Sequence, residues 1–539
     1  MLYRLTHRFS IDPAGRQVSA VSIAGAAAAY RARRPDLAAD ICHGMLADDP
    51  WHPDALHLLG VICTERNEPE QALAWLIRAE REEAHSARLQ YHIGNALLAL
   101  ERHADAEAHF RAAVALDPEL VDAYNNLGTA LRAQGQEDAA EACYHRIVAL
   151  RPDYPAAHYN LGLAQAKRGD LDAAVVSFRT ALGCRVADAP PERLADVHDS
   201  LARVLIELER CDEALAICRA RQALRPDDPG GEWHEALALL TLGRFAEAWP
   251  KYERRWELPG FRSEGDPPAP PVPDVTDLHG RRVLLRAEQG RGDVIQFARY
   301  VPHVAAIAAS VALVVPDDLV ALMRSVPGAA EVIADRESDP PHDIAAALLS
   351  LPLILGTDLN TVPADVPYLH PQADRLDYWR QRIGPRSRPR VGLCWRGSQH
   401  IPERSMPLAD LTPLLSRRDV ELHAIQIEIP DSDRACIAAN PAVTLHEAAL
   451  TDFAETAALL WLMDLVISVD TSVAHLAGAL GRPTWIMLRR TPDWRWLLGR
   501  QDSPWYPTVR LFRQDRCGGW PAVVDAVHRA LADCVSDPR

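Results

Sequence analysis

The sequence predicts an α-solenoid followed by an α/β module of two lobes, each built on a parallel sheet. Three observations predict it. Leu/Ile-Gly pairs recur in phase at Ile93-Gly94, Leu127-Gly128 and Leu161-Gly162, each 34 residues after the last. A stretch rich in Pro and Gly, Pro259 to Pro273, then interrupts the helical texture. Beyond it, from Arg281, short apolar runs alternate with helical runs, which is the texture of βα units.

The repeat carries more positions than its glycines. Ala106, Ala140 and Ala174 keep the same step, as do Phe110, Tyr144 and Phe178, while Pro118 and Pro152 close two units. Leu59-Gly60 and Ala72 extend the register backwards, and Pro50 marks a weaker unit before that. This is the tetratricopeptide pattern, in which small residues let two helices approach, an aromatic fills the space between pairs, and Pro stops the second helix. No unit buries its apolar face alone, so the units stack. After Cys184 the register slips through a loop expected at Val186 to Arg193, then resumes with Leu201, Ala214 and Pro226 and again with Leu239, Gly243 and Ala248. Trp249, Tyr252 and Trp256 form an aromatic-rich cap. The solenoid is assigned to residues 1–256 and the linker to 257–280. Asn126 and Asn160 fall on the concave face, where a structural role outweighs capture of a peptide backbone.

In the second half, Arg282 to Arg286 is expected as a strand, Glu288 to Asp293 as a tight turn, Val294 to Ala306 as a helix and Val311 to Val315 as the next strand. Ile344 to Leu353 and a proline-spaced run to Leu369 complete a first Rossmann-like lobe, 281–384, on the acceptor side. A second break at Gly384 to Pro389 opens a nucleotide-sugar lobe, 385–539. Its expected strands are Arg390 to Trp395, His423 to Ile427, Leu465 to Val469 and Thr484 to Leu488, with a closing helix over Trp520 to Cys534.

The remaining composition narrows the class. At 539 residues, two to four domains are expected. A formal net charge of −16 argues against a general nucleic-acid binder, which needs a basic face. The 10 cysteines contain no CxxC pair, and Cys211 and Cys218 suit neighbouring turns of one helix; they read as buried thiols of a reducing compartment. No run reaches the roughly 18 apolar residues of a membrane span, and the first residues carry charge where a signal peptide needs an apolar core. A cytoplasmic protein without a transmembrane segment is expected.

The candidate site centres on Leu465 to Leu480, LVISVDTSVAHLAGAL. A β-branched run breaks at Asp470-Thr471-Ser472 and continues as a small apolar helix closed by Gly481 and Pro483. Asp, Thr and Ser side chains are expected to cap the first helical N–H groups. Those same groups, at the positive end of the helix dipole, form an anion site. His475 stands one turn in, at the mouth. The turn ending in Gly292-Asp293 also falls at a strand end, so both face the crevice where open α/β sheets bind ligands.

Gly292-Asp293 with its following helix, Arg404-Ser-Met-Pro407 and Asp470-Thr-Ser-x-x-His475 resemble the motifs of bacterial glycosyltransferases of the lipopolysaccharide heptosyltransferase type, which have the two-lobed GT-B fold. Tetratricopeptide repeats joined to such a module are similar to bacterial relatives of O-linked N-acetylglucosamine transferase. Pro492-Asp-Trp-Arg-Trp496 and Ser503-Pro-Trp-Tyr-Pro507 resemble the tail of that group. The likeness covers the chain in outline and a few dozen residues sharply.

The resemblance implies inverting transfer of a hexosyl or heptosyl group from a nucleotide-diphosphate sugar to an acceptor hydroxyl. It implies no catalytic metal and no cofactor besides that donor substrate. The residues allow this chemistry. Thr471 and Ser472 at the helix N-terminus, with Arg404 as a fixed cation, stabilise the leaving diphosphate, and His475 adds a hydrogen bond. Asp293 on the opposite lobe is the expected general base. Gly292 and Asp470 belong to the donor site, and Gln426 is an expected nucleotide contact. The plainer roles are helix caps for Asp293 and Asp470, a solvated loop charge for Arg404, and packing for Trp494 and Trp496.

The expected partners are the donor and a protein or peptide acceptor in the repeat groove; a homodimer is compatible with the solenoid. The chain carries Ser472 where heptosyltransferases usually have glycine, Arg404 where they have lysine, and a short loop, Gly397 to Glu403. These departures motivate an alternative, a decayed scaffold or nucleotide-sugar sensor. A second alternative is a heptosyltransferase-type enzyme acting on a glycan acceptor.

Overall fold

The computed structural model of the chain describes residues 10–11, 17–18, 22–83, 85–184, 191–258, 260–261, 273–397, 404–515 and 519–536. Half of the expected linker, part of the Val186 to Arg193 loop, and all but the first residue of the Gly397 to Glu403 loop lie outside these. The chain divides into two units, 1–204 and 205–539.

In the first unit a two-residue antiparallel pair, β1 (Ser10–Ile11) with β2 (Gln17–Val18), precedes a run of helical hairpins. Four hairpins show why the 34-residue pattern works: Pro53–Glu65 with Pro69–Glu80, Ala87–Ala99 with His103–Leu116, Val121–Ala133 with Glu137–Leu150, and Pro155–Lys167 with Leu171–Gly183. A Cβ built on Gly94, Gly128 or Gly162 would lie 2.5, 2.5 or 2.6 Å from the ring of Phe110, Tyr144 or Phe178. The glycine of the first helix is thus the socket for the aromatic of the second. In the first of these four hairpins Leu76 takes the aromatic's place against Gly60. The concave-face asparagines bond to one another: Asn126 donates to Asn95 at 2.7 Å, Asn125 to Asn126 at 3.0 Å, and Asn160 to Asn125 at 2.9 Å. Two of these bonds tie successive first helices, Ala87–Ala99 to Val121–Ala133 and Val121–Ala133 to Pro155–Lys167, which is the structural role.

The second unit begins with the last repeat helices, Cys211–Leu224, Pro229–Thr241 and Phe245–Tyr252, the last running into a 3-10 turn, Glu253–Glu257. Cys211 and Cys218 are both buried on one helix. Two all-parallel sheets follow. The first contains β3 (Arg282–Arg286), β4 (Ser310–Val315), β5 (Ala329–Ala334) and β6 (Ile344–Ala347), in the order β5-β4-β3-β6. The second contains β7 (Arg390–Cys394), β8 (Glu421–Ala424), β9 (Val443–Leu445), β10 (Leu465–Val469), β11 (Thr484–Leu488) and β12 (Val509–Arg513), in the order β12-β11-β10-β7-β8-β9. This is the α-solenoid followed by the two Rossmann-like lobes of a GT-B fold.

Three details differ from the sequence reading. The expected helix Val294 to Ala306 is broken into Arg291–Phe297, a 3-10 turn at Ala298–Tyr300, and Val301–Ala305. Pro302 explains the break: it has no N–H to donate and its ring crowds the preceding turn. The strand expected at His423 to Ile427 ends at Ala424, leaving Gln426 in the loop beyond it. β5, β9 and β12 carried weak signals, being alanine-rich, three residues long, or interrupted by arginine.

Candidate active site

A cavity of about 1430 Å³ opens where the carboxyl ends of the two sheets meet. All eight residues singled out in the sequence line it: Gly292, Asp293, Arg404, Gln426, Asp470, Thr471, Ser472 and His475.

The central helix, Ser472–Ala479, starts from the buried strand β10. Thr471 occupies its N-cap with an extended backbone, but no side chain caps the helix. This corrects the expected side-chain cap. The Thr471 hydroxyl instead bonds to the Ser468 hydroxyl at 3.1 Å. The first backbone bond comes from Ala474 N to Thr471 O, 3.0 Å. The amides of Ser472 and Val473 therefore precede the helical ladder, and both residues line the cavity. An uncapped helix N-terminus leaves free N–H groups at the positive end of the helix dipole, a combination that suits an anion.

The first lobe meets this helix directly. Gly290 is the N-cap of Arg291–Phe297, and its N–H donates to Asp293 Oδ2 at 2.9 Å. A Cβ on Gly292 would stand 3.1 Å from His475 Cδ2 and 3.6 Å from Ser472 Cα. Glycine at 292 is what lets the starts of the two helices touch.

Charges are organised around Asp493. It accepts from Arg404 Nη2 at 3.1 Å and from Arg495 Nη1 at 2.8 Å. Arg495 also donates to Gln296 Oε1 at 2.6 Å and to Asp293 Oδ1, and its guanidinium lies 4.3 Å from the Trp494 ring. Asp293 thus caps its helix and is held by a buried arginine at the same time. Arg404 Nε lies 3.6 Å from Asp470 Oδ2 and has no hydrogen-bond partner among the described residues. Burial disfavours charge on both Asp470 and Asp493. Burial wins at Asp470, whose carboxyl is pushed up; at Asp493 the Arg495 and Arg404 charges win and hold it well below the usual carboxylate range.

His475 is buried, stacked on Trp496 with ring centroids 5.2 Å apart, and its Nδ1 lies 3.0 Å from the Tyr506 hydroxyl. Burial first, then the Arg495 charge, pushes the imidazole down to about 3, so it is neutral near pH 7. Burial also pushes the Tyr506 hydroxyl well up, keeping it a donor. With Tyr506 donating to Nδ1, the imidazole proton is assigned to Nε2. Gln426 lines the cavity, but its Oε1 accepts from the Arg396 N–H at 3.1 Å and the Trp395 N–H at 3.3 Å. Its amide shapes the loop after β7. Trp494 packs edge-on to Trp249, 5.7 Å between centroids, and Trp496 is fully buried, which is the packing role.

Asp493 and Arg495 are site residues that the sequence reading misses. A signal existed: Arg495 stands between Trp494 and Trp496 with Asp493 beside them, and charges carried into a packed interface by large aromatic neighbours must find partners. Among the described residues no group of three or more His, Cys, Asp or Glu is arranged to hold a metal ion, and no helix is long and apolar enough to cross a membrane.

A repeat solenoid leading into two parallel-sheet lobes, with a cavity at their carboxyl ends, defines a repeat-fused GT-B protein. Tetratricopeptide family models match residues 29–92, 65–121, 91–155 and 125–191, and the glycosyltransferase family 9 (heptosyltransferase) model matches 431–513. The chain thus carries tetratricopeptide repeats and a glycosyltransferase family 9 domain, which supports a glycosyltransferase. The family 9 match contains Asp470 to His475, Asp493 and Arg495. Protein FlbA of Caulobacter vibrioides is 27% identical over 369 residues, covering 61% of this chain. The chain spans 60% of that relative's length. Solved structures similar to this chain include MamA, at 26% identity, 29% of this chain, 92% of that chain and a TM-score of 0.28. Another is TTC0263, a tetratricopeptide protein of Thermus thermophilus, at 25% identity, 35% of this chain, 99% of that chain and a TM-score of 0.29.

Proposed function

We propose that the chain transfers a sugar from a nucleotide-diphosphate sugar to a hydroxyl of a protein held by the repeats, by an inverting, metal-independent route. One observation carries the reading: an uncapped helix N-terminus and an incompletely paired arginine, Arg404, flank the same cavity as a carboxylate, Asp293, from the opposite lobe. The diphosphate sits on the Ser472 and Val473 amides and the Arg404 guanidinium, which forks onto phosphate oxygens. As the glycosidic bond breaks, these fixed donors stabilise the negative charge arriving on the leaving phosphate. The acceptor oxygen attacks the anomeric carbon from the other face, and Asp293 takes its proton. Neutral His475 offers an Nε2–H to the donor without adding a titrating charge. Gln426 supports the site through the loop that it holds.

A thermal-shift series with uridine, guanosine and adenosine diphosphates and their sugars, without added metal, tests the donor. Binding at a hundred times the dissociation constant stabilises the folded state by about 2.7 kcal/mol, a readily measured rise in melting temperature. Arg404→Ala should remove the shift; Asp293→Asn should keep it and abolish transfer. Full transfer by both variants overturns the assignment. Transfer to a glycan and to no protein replaces the acceptor. One observation favours a second reading, binding without turnover: both oxygens of Asp293 already have partners. A thermal shift with no transfer by the parent chain to any acceptor supports it.

A further inference from the structure

The turn after β3 is gripped by the last helix of the repeats and the 3-10 turn that continues it. Arg255, 0% exposed, donates from Nε and Nη2 to the two carboxylate oxygens of Glu288, at 3.1 and 2.7 Å. Glu288 follows β3 and also accepts the Leu349 N–H at 3.2 Å. Arg255 also donates to the Tyr252 carbonyl, Glu253 and the Ser350 hydroxyl, all at 3.2 Å or less. One residue further, Gln289 donates from Nε2 to the Tyr252 hydroxyl at 3.2 Å. Gln289 sits at φ 61°, a left-handed conformation that a non-glycine residue holds only when its surroundings enforce it. Gly290 comes next, and its N–H fixes Asp293.

We propose that Tyr252 and Arg255 are positioning residues for Asp293: the repeat cap enforces the left-handed turn at Gln289, and that turn aims the Arg291–Phe297 helix, with Asp293 on it, at the cavity. The proposal rests on the transferase reading for its catalytic consequence, but not for its structural one. The tie explains why the solenoid ends in Tyr252 and an arginine rather than in a polar cap: both side chains are committed to the turn after β3, at Gln289 and Glu288, one and two residues before Gly290. Trp249, on the same helix, provides the contrast. It fastens the cap to the lobe elsewhere, its Nε1 donating to the Thr357 carbonyl at 2.9 Å.

The experiment compares Tyr252→Phe with Trp249→Phe in the full-length chain. Hydrogen exchange over residues 289–297 should rise in Tyr252→Phe and stay unchanged over 470–479. Release of nucleoside diphosphate from a uridine-, guanosine- or adenosine-diphosphate sugar, with water as acceptor, should show kcat lowered about tenfold with the donor KM within about twofold, because a misplaced base costs rate and not donor affinity. Trp249→Phe should lower the melting temperature and leave kcat within about twofold. Unchanged exchange over 289–297 in Tyr252→Phe overturns the positioning role, with or without turnover. Equal losses of kcat in the two variants, or loss of donor affinity along with kcat, reduce the contact to general stability and overturn it too. A parent chain that releases no nucleoside diphosphate counts against the transferase reading, and the exchange result still decides the positioning.

Discussion

Replacing His475 by Gln should remove a defined part of the chain's acid sensitivity. In the folded chain burial, helped by the Arg495 charge, pushes this imidazole down to about 3, whereas in the unfolded chain it titrates near 6.5. Between those values the unfolded state holds the proton and the folded state does not, so stability falls as pH drops below about 6.5 and the full penalty is reached below about 3. From pH 7 to pH 5 this one group costs about 2 kcal/mol. The figure depends little on the folded value, because pH 5 already lies above it. His475→Gln also loses the Trp496 stack and the Tyr506 bond, but those losses are present at both pH values and cancel in the comparison. The assay is urea denaturation of parent and variant at pH 7 and pH 5, followed by tryptophan fluorescence. The parent should lose about 2 kcal/mol more than the variant. Equal losses would mean that His475 is charged or exposed in the folded chain, which would refute the buried neutral imidazole.

Gly292→Ala sets a methyl 3.1 Å from His475 Cδ2, and His475 is pinned by Trp496 and Tyr506; the two helix starts must part, costing about 1–3 kcal/mol by thermal denaturation and weakening nucleoside diphosphate binding. Gly94→Ala places a Cβ 2.5 Å from Phe110, so the first unit should lose about 1–3 kcal/mol, read by circular dichroism, with donor binding unchanged. Asp493→Asn removes the carboxylate shared by Arg404 and Arg495 and should cost about 3 kcal/mol in urea denaturation; no loss would mean the two arginines do not depend on it.

The repeat was legible because its signals are local and periodic: Gly94, Gly128 and Gly162 each meet an aromatic sixteen residues on, a spacing that any stacked hairpin must keep. The strand–turn–helix at Leu465 to Leu480 was legible for the same reason, since a β-branched run, a polar break and a small apolar helix are all written within sixteen residues. The failures were local too. Pro302 broke a helix whose apolar pattern ran on, and Thr471 turned its hydroxyl to Ser468 rather than to its own helix.

By itself the sequence determined the solenoid, the alternation that makes parallel sheets, and the set of polar residues at strand ends from which a cleft is built. Only the tertiary structure decided how those residues are wired. Asp293 and Arg495 stand 202 positions apart, and Arg255 and Glu288 are joined across 33. No periodicity records such pairs. They exist because a charge carried into a packed interface must meet its opposite there, and which opposite it meets is fixed only when the two lobes and the repeat cap close on one another.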